Sequence, residues 1–277
     1  PSYFYKGHQW ALPVDAACQV QALRPDLLTE PVTRFNDVIA QAKNRRVVWP
    51  LRSPHVLMSF FTLLANQGAP FPVTQQSQID FNAARNVIST MQTLAVLVDP
   101  ACFDMDPIAA LDALAEGDQF ALCPLVYLYA PYGRIGYRPH RIAFHDMPSL
   151  GASGPLGSAL GGTGIAVSSE TKHPEICTKF ALWVASANIQ RGLYSENNGQ
   201  PANAVAWSAP LVNAPVGELY NNTRMTHEAA WLRPRHAGYM AFQEEGSQVL
   251  LDALTGKTGP DAAISALQQR FEESFCA

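Results

Sequence analysis

An α/β fold built on a largely parallel sheet is what this sequence predicts, and three observations lead to it. Short apolar or β-branched runs of strand type alternate along the chain with segments of helical period. Hydrophobic residues fill 48% of the 277 positions, enough for a sizeable core in one large domain or two lobes. No internal repeat or low-complexity tail interrupts the alternation.

The first element is WALPVDAACQVQAL (10 to 23), apolar and partly β-branched, a strand placed to cross between lobes and ended where Pro25 opens a short helix or turn. In PVTRFNDVIAQAKNR (31 to 45), Thr33 is the expected N-cap of an amphipathic helix. RVVWPL (46 to 51) reads as a short strand stopped by Pro50, and SPHVLMSFFTLLANQG (53 to 68) as a strongly apolar helix closed by Gly68. A further helix, DFNAARNVISTMQTLAVLV (80 to 98), takes Asp80 as its cap. DPIAALDALAEGDQFALCPLVYLYAPYG (106 to 133) gives a short helix, a Gly117-Asp118 turn and a buried strand. GASGPLGSALGGTG (151 to 164) is rich in small residues and expected to be flexible, with a strand GIAVSS and a helix HPEICTKFALWVAS (173 to 186) after it. A short helix NIQRGLYSE (188 to 196), a loop NNGQPANAVAW (197 to 207) and two helices from about Tyr239 to Phe275 complete the chain.

Composition removes several function classes. Charged residues make up 15% of the chain, 19 basic against 23 acidic for a net charge of -4, with no basic run, so nucleic acid is not an expected partner. The longest apolar runs, FALWVA and LCPLVYLYAPY, fall short of the ~20 residues of a membrane helix. The N-terminus PSYFYKGHQW has no initiator Met, no charged n-region and no apolar h-region, so a targeting peptide is expected to have been removed or to lie outside the sequence. Five cysteines (Cys18, Cys102, Cys123, Cys177, Cys276) form no CxxC pair and sit among apolar residues; they read as small buried hydrophobes, with one disulfide left open.

The glycines of GGTG (161 to 164) invite a phosphate, but the stretch is neither GxGxxG nor a P-loop and precedes a strand where both phosphate motifs precede a helix. Glycines entering a strand mark a close backbone approach, by another segment or by a ligand. No GxSxG, SxxK pair or persuasive Cys-His arrangement is present, and the seven histidines lie singly, without HxH, HxxxH or HExxH spacing. Neither metal catalysis nor a cofactor is expected. Paired carboxylates for glycoside hydrolysis would come from distant positions, which spacing leaves open. Aromatics near strand ends and loops stand out: Trp10, Trp49, Tyr127, Tyr129, Tyr132, Trp207, Trp231 and Tyr239. Flat faces of this kind stack on pyranose rings, although most of these aromatics are expected to be core.

Three stretches together resemble the extracellular solute-binding proteins of bacterial ABC transporters, the sugar-binding group related to the maltose-binding protein. YKGHQWALPVDAACQVQALRPDLL is similar to the segment in which that family's last strand of the first lobe crosses the hinge. GGTGIAVSSETKHPEICTKFALWVASANIQRGLYSENNGQPANAVAW is similar to its return segment, and DPIAALDALAEGDQFALCPLVY to its A-x-x-A-F-x-x-G helix and strand. The resemblance implies a two-lobed periplasmic binding protein-like α/β fold of class II type with hinge-crossing strands. The first lobe is expected to be incomplete: residues 1–16 and 158–212 form part of lobe one, and 17–157 with 213–277 form lobe two. It implies a sugar or polyol bound between the lobes without chemistry, permease subunits as partners, a periplasmic or extracellular location with the membrane met only through the permease or a lipid anchor, and a monomer.

Carried over by motif, Asp15 becomes a hydroxyl acceptor at the hinge strand, or the partner of Arg235 in a structural ion pair. His55 lines the cleft, Tyr127 stacks, and Gly161, Gly162 and Thr163 present backbone and a hydroxyl. Thr163 stands where the family's pattern places Trp, which removes one stacking platform. Trp10, Trp49, Tyr129, Gln200, Arg235 and Tyr239 complete the expected ligand-binding set. A non-sugar solute such as an organic acid or a small zwitterion is the alternative that Arg233 or Arg235 favours, and a glycoside-processing enzyme with two carboxylates is the alternative of another class.

Overall fold

Two short strands, β1 (Phe4–Tyr5) and β2 (His8–Gln9), pair antiparallel and lead into the twelve-residue β3 (Leu12–Leu23) in the computed structural model, which describes residues 3–151 and 153–276. β3 organises the rest of the chain. Four helices follow it: α1 (Phe35–Lys43), α2 (His55–Asn66), α3 (Phe81–Ala95) and α4 (Pro107–Glu116). Three strands then return to β3, namely β4 (Leu122–Tyr127), β5 (Ala143–His145) and β6 (Leu160–Ile165), and all three pair antiparallel to it. The expected parallel sheet is therefore corrected. Leu122 pairs with Leu23, so the chain re-enters beside the end of β3 that it left, and re-entry at the same end reverses direction. Among the described residues parallel pairing survives only in isolated bridges such as Val47 to Leu122.

The two halves of β3 have different neighbours. Leu12 to Cys18 pair with β6, whereas Gln19 to Leu23 pair with β4 and β5. Burial changes at the same place, from half-buried over 12–16 to fully buried beyond Ala17. One strand thus leaves a thin outer layer and enters the main core, as a crossing strand must.

The main core is held by α2, buried along nearly its whole length and packed with α3 and α6 (Tyr239–Leu254), which in turn pack with α7 (Pro260–Glu273). Its centre is aromatic: Phe71 lies 4.6 Å from Phe61, 5.6 Å from Phe242 and 5.0 Å from Phe271 between ring centroids. Caps follow the sequence where a carboxylate is available. Asp80 accepts from Ala83 N at 2.9 Å and Asp106 from Ala109 N at 2.9 Å, and Gly68 takes φ +85 just beyond α2. Thr33 does not cap α1: its carbonyl accepts from Ser149 N, which holds it extended, and the cap position falls to Arg34 without a side-chain bond. The expected strand at 46–51 shrinks to a bridge at Val47. Val48 N donates to Leu122 O and Leu51 N to Cys102 O, so no single partner strand is offered a ladder.

The outer layer differs in kind. The glycines 161, 162 and 164 are inside β6, not ahead of it, and the strand ends at Ile165. α5 (Pro174–Ala185) buries only Ala181, while Ile176, Phe180, Leu182 and Trp183 are 46% to 66% exposed. Short helical turns occupy Ala187–Ile189, Gln190–Tyr194, Ala204–Trp207, Pro210–Asn213, Leu219–Asn222 and Arg224–Glu228; the first two fall in the expected short helix, and Ala204–Trp207 falls in the expected loop. All five cysteines are free; Cys18, Cys102 and Cys123 are buried as expected, but Cys177 is half-buried and Cys276 exposed. Among the described residues no helix is long and apolar enough to cross a membrane, and no group of three or more His, Cys, Asp or Glu could hold a metal ion.

Candidate functional site

β6 runs beside β3 with Asp15 opposite Thr163, Ala16 opposite Gly162 and Ala17 opposite Gly161. The fit requires glycine twice. At Gly162, φ is +114 and a Cβ would lie 2.3 Å from the Asp15 carbonyl oxygen; at Gly161 a Cβ would lie 2.8 Å from Cε1 of Tyr127. The close approach read from GGTG is thus made first by the protein itself. Asp15, Tyr127, Gly161 and Gly162 form one contiguous group at the point where β3 passes from the outer layer to the core.

Beside this group opens a cavity of about 500 Å³. Its floor is Leu160, Gly161 and Gly162; its walls are Tyr3, Pro54, the loop Leu232 to His236, and the first turns of α6 at Tyr239, Met240 and Gln243. Tyr239 and Gln243 share the lining because residues four apart lie on one helix face. Of the expected residues, Gly161, Gly162, Arg235 and Tyr239 line it directly.

A second layer stands behind. Tyr127 packs edge-on against His55 at 6.2 Å, and His55 follows Pro54 of the lining. Burial holds the His55 ring neutral, its pKa lowered to about 4, and its Nδ1 has no partner. The hydroxyl of Tyr127 is likewise buried without a hydrogen-bond partner, and burial pushes it well above the usual phenol range; burial raises Tyr239 too, against the pull of the Arg233 side chain beside its hydroxyl. Both feel the Arg233 guanidinium, which opposes that rise. Asp15 is raised by burial, partly offset by the bond it accepts from Gln200 Nε2 at 3.0 Å. Among the described residues no ion pair joins Asp15 to Arg235; Arg235 Nη1 donates to Phe4 O at 2.9 Å and its guanidinium lies 5.5 Å from the Tyr5 ring centre.

Other expected residues are placed elsewhere. Trp49 is completely buried in the core with Nε1 donating to Ser59 Oγ at 3.3 Å, so its expected place in the cleft is corrected: its segment inserts beneath α2. Gln200 is a strut, donating to Asp15 and the Ala16 carbonyl and accepting from Ala130 N, which ties its loop to β3 and to the end of β4. Trp10 is 62% exposed on the segment after β2, bonded to Tyr5 O, and Tyr129 is half-exposed beyond β4; neither lines the cavity. Thr163 is exposed on β6. Tyr3, His236 and Gln243 also line the cavity and are outside the expected set. The run RPRHAGY (233 to 239) is the available signal, with two arginines, a histidine and a tyrosine crowded by one proline and one glycine at the start of a helix.

No protein-family model matches the sequence, and the search of curated proteins finds no match. Solved structures do match. The maltose-bound MalE3 protein of T. maritima is similar over 96% of this chain and 73% of its own, with a TM-score of 0.79 at 16% identity. An ABC transporter solute binding protein from Agrobacterium radiobacter K84 in complex with ribitol matches over 98% of this chain and 72% of its own, at TM-score 0.76 and 19% identity. Another from Thermotoga lettingae, bound with alpha-D-tagatose, matches over 99% and 74%, at TM-score 0.79 and 16% identity. At such identities the likeness speaks for architecture, and on that ground this chain has the two-lobed α/β fold of the ABC transporter solute-binding proteins.

Proposed function

We propose that the chain is the substrate-binding component of an ABC importer, holding a sugar or polyol between two lobes and releasing it unchanged. One observation carries this reading: the cavity lies where β3 passes between layers, with glycine main chain on one side and tyrosines on the other. Exposed main chain can hydrogen-bond hydroxyls, and a tyrosine adds an apolar face with a polar tip. The solved proteins of this fold that hold maltose, ribitol and tagatose support the same ligand class. In this reading lobe one comprises residues 1–16 and 158–212, lobe two comprises 17–157 and 213–277, and β3 carries the hinge rotation. The permease would be the partner, outside the cytoplasmic membrane, and the protein would turn nothing over. The described lining residues include no Asp or Glu, which disfavours a two-carboxylate glycosidase.

A thermal-shift screen of sugars, polyols and organic acids tests the reading. A ligand bound only by the folded chain stabilises it by about 2.7 kcal/mol at a hundred times its Kd. The expected result is a raised Tm with a sugar or polyol that chromatography recovers intact. Silence across a broad panel, or conversion of the compound, overturns it.

A further inference from the structure

The charge of the cavity does not match a neutral ligand. Arg233, Arg235 and His236 line it and no described lining residue is acidic, although the chain as a whole carries -4. Burial lowers the His236 pKa, and its Nε2 is paired with Ser274 Oγ at 2.7 Å, so the charge on which the inference rests is that of Arg233.

Arg233 is the telling residue. Arg24, Arg52, Arg85, Arg138, Arg224 and Arg270 each meet a carboxylate within 4 Å; among the described residues Arg46, Arg134 and Arg141 are half-buried without one, like Arg233, but only Arg233 of these lines the cavity. Arg233 is half-buried, yet among the described residues no carboxylate pairs with it. Its Nη1 donates to the neutral Gln243 Oε1 at 3.1 Å and reaches Met58 Sδ at 3.5 Å. A guanidinium has five donors in a planar fork suited to an oxyanion, and the neutral groups it meets, Gln243, Met58 and the Tyr239 hydroxyl, bring no charge to balance it. Beside it stand the hydroxyl of Tyr239, which meets the guanidinium, and the buried hydroxyl of Tyr127, which lacks a partner.

We propose that the solute taken by this cavity carries an oxyanion on a polyhydroxylated body, a carboxylate or a phosphate held by Arg233, while its hydroxyls meet the Gly161–Gly162 main chain and Tyr239. This rests on the sugar or polyol reading above and narrows it to sugar acids or sugar phosphates. Charge-assisted, fork-like bonds to Arg233 give the anionic member its advantage.

Calorimetric titration of the full chain with matched pairs decides it: galacturonate against galactose, gluconate against glucitol, and glucose 6-phosphate against glucose, with acetate and inorganic phosphate as anions lacking a polyol. At least one anionic member is expected to bind about tenfold or more tighter than its neutral counterpart, with an advantage that shrinks as salt rises. The carboxylate and phosphate arms tell the two anions apart. Arg233→Gln should erase the preference, and Arg233→Lys should keep part of it. Equal binding within every pair, or an unchanged preference in a folded Arg233→Gln protein, overturns the inference and leaves the sugar reading standing. Acetate or inorganic phosphate binding as tightly as the sugar acids overturns both the polyol requirement and the sugar reading, and silence from all compounds overturns both as well. Should Arg233→Gln not fold, the wild-type pairs decide alone.

Discussion

Single residues at the β3–β6 seam set both the shape and the pH response of the site. Gly162 has φ +114 with Asp15 O in the way of any side chain, so Gly162→Ala should destabilise the chain by about 2 kcal/mol or more, read as a fall in the urea midpoint. An unchanged midpoint would mean that the strands separate there without penalty. His55 works through its proton. Its folded pKa near 4 lies below the ordinary 6.5, so between those values the unfolded chain binds more protons than the folded one. Stability is therefore complete above pH 6.5 and is lost as pH falls toward 4, by about 2 kcal/mol at pH 5 from this residue alone. His145 and His227 are lowered by burial too and act in the same sense. Denaturation of the wild type and of His55→Gln at pH 7 and pH 5 checks the assignment: the variant should lose less on acidification, and an equal loss would remove His55 from the account. The sequence marked Gly161, Gly162 and Tyr239 because unusual backbone and aromatic ends leave local signatures. It could not separate Trp49 from Tyr239, since both sit next to chain-breaking residues and only packing beneath α2 decides which is core. Arg233 was visible as a charge but not as a charge without a carboxylate, which is a property of three-dimensional neighbours.

Elements with strong local chemistry were readable, and those made by tertiary pairing were not. Asp80 capping α3 is of the first kind, and Asp80→Ala should lower stability by about 1 kcal/mol; a change under a few tenths would show that the bond to Ala83 N is replaced by water at no loss. The helices α2, α6 and α7 follow from apolar period and Gly punctuation alone. Strand direction is of the second kind. A run such as LCPLVY has the same composition whichever way it pairs, and only its return beside Leu23 makes it antiparallel. RVVWPL failed as a strand for a related reason: its composition fits a ladder, but its donors are divided between Leu122 and Cys102.

At the scale of the molecule, β3 joins two layers of unequal packing, and the difference is physical. The layer of α2, α3, α6 and α7 is closed around an aromatic centre, whereas α5 turns Ile176, Phe180, Leu182 and Trp183 outward. Phe180→Ser with Trp183→Ser should therefore shift stability by no more than about 0.5 kcal/mol while lowering the binding of an apolar fluorescent dye. A larger loss of stability would mean that this face is packed in solution. The resemblance of the hinge and return segments implies two lobes, and the 0.74 to 0.79 TM-scores bear out that architecture. Solute capture at the seam is the claim on which the rest depends. Hydrogen exchange of the full chain, with and without a saturating sugar or sugar acid from the binding screens, tests it most directly. The account predicts slowed amide exchange at residues 160–165 and 232–243, with little change in α5. Protection confined to other segments, or none at saturation, would contradict it.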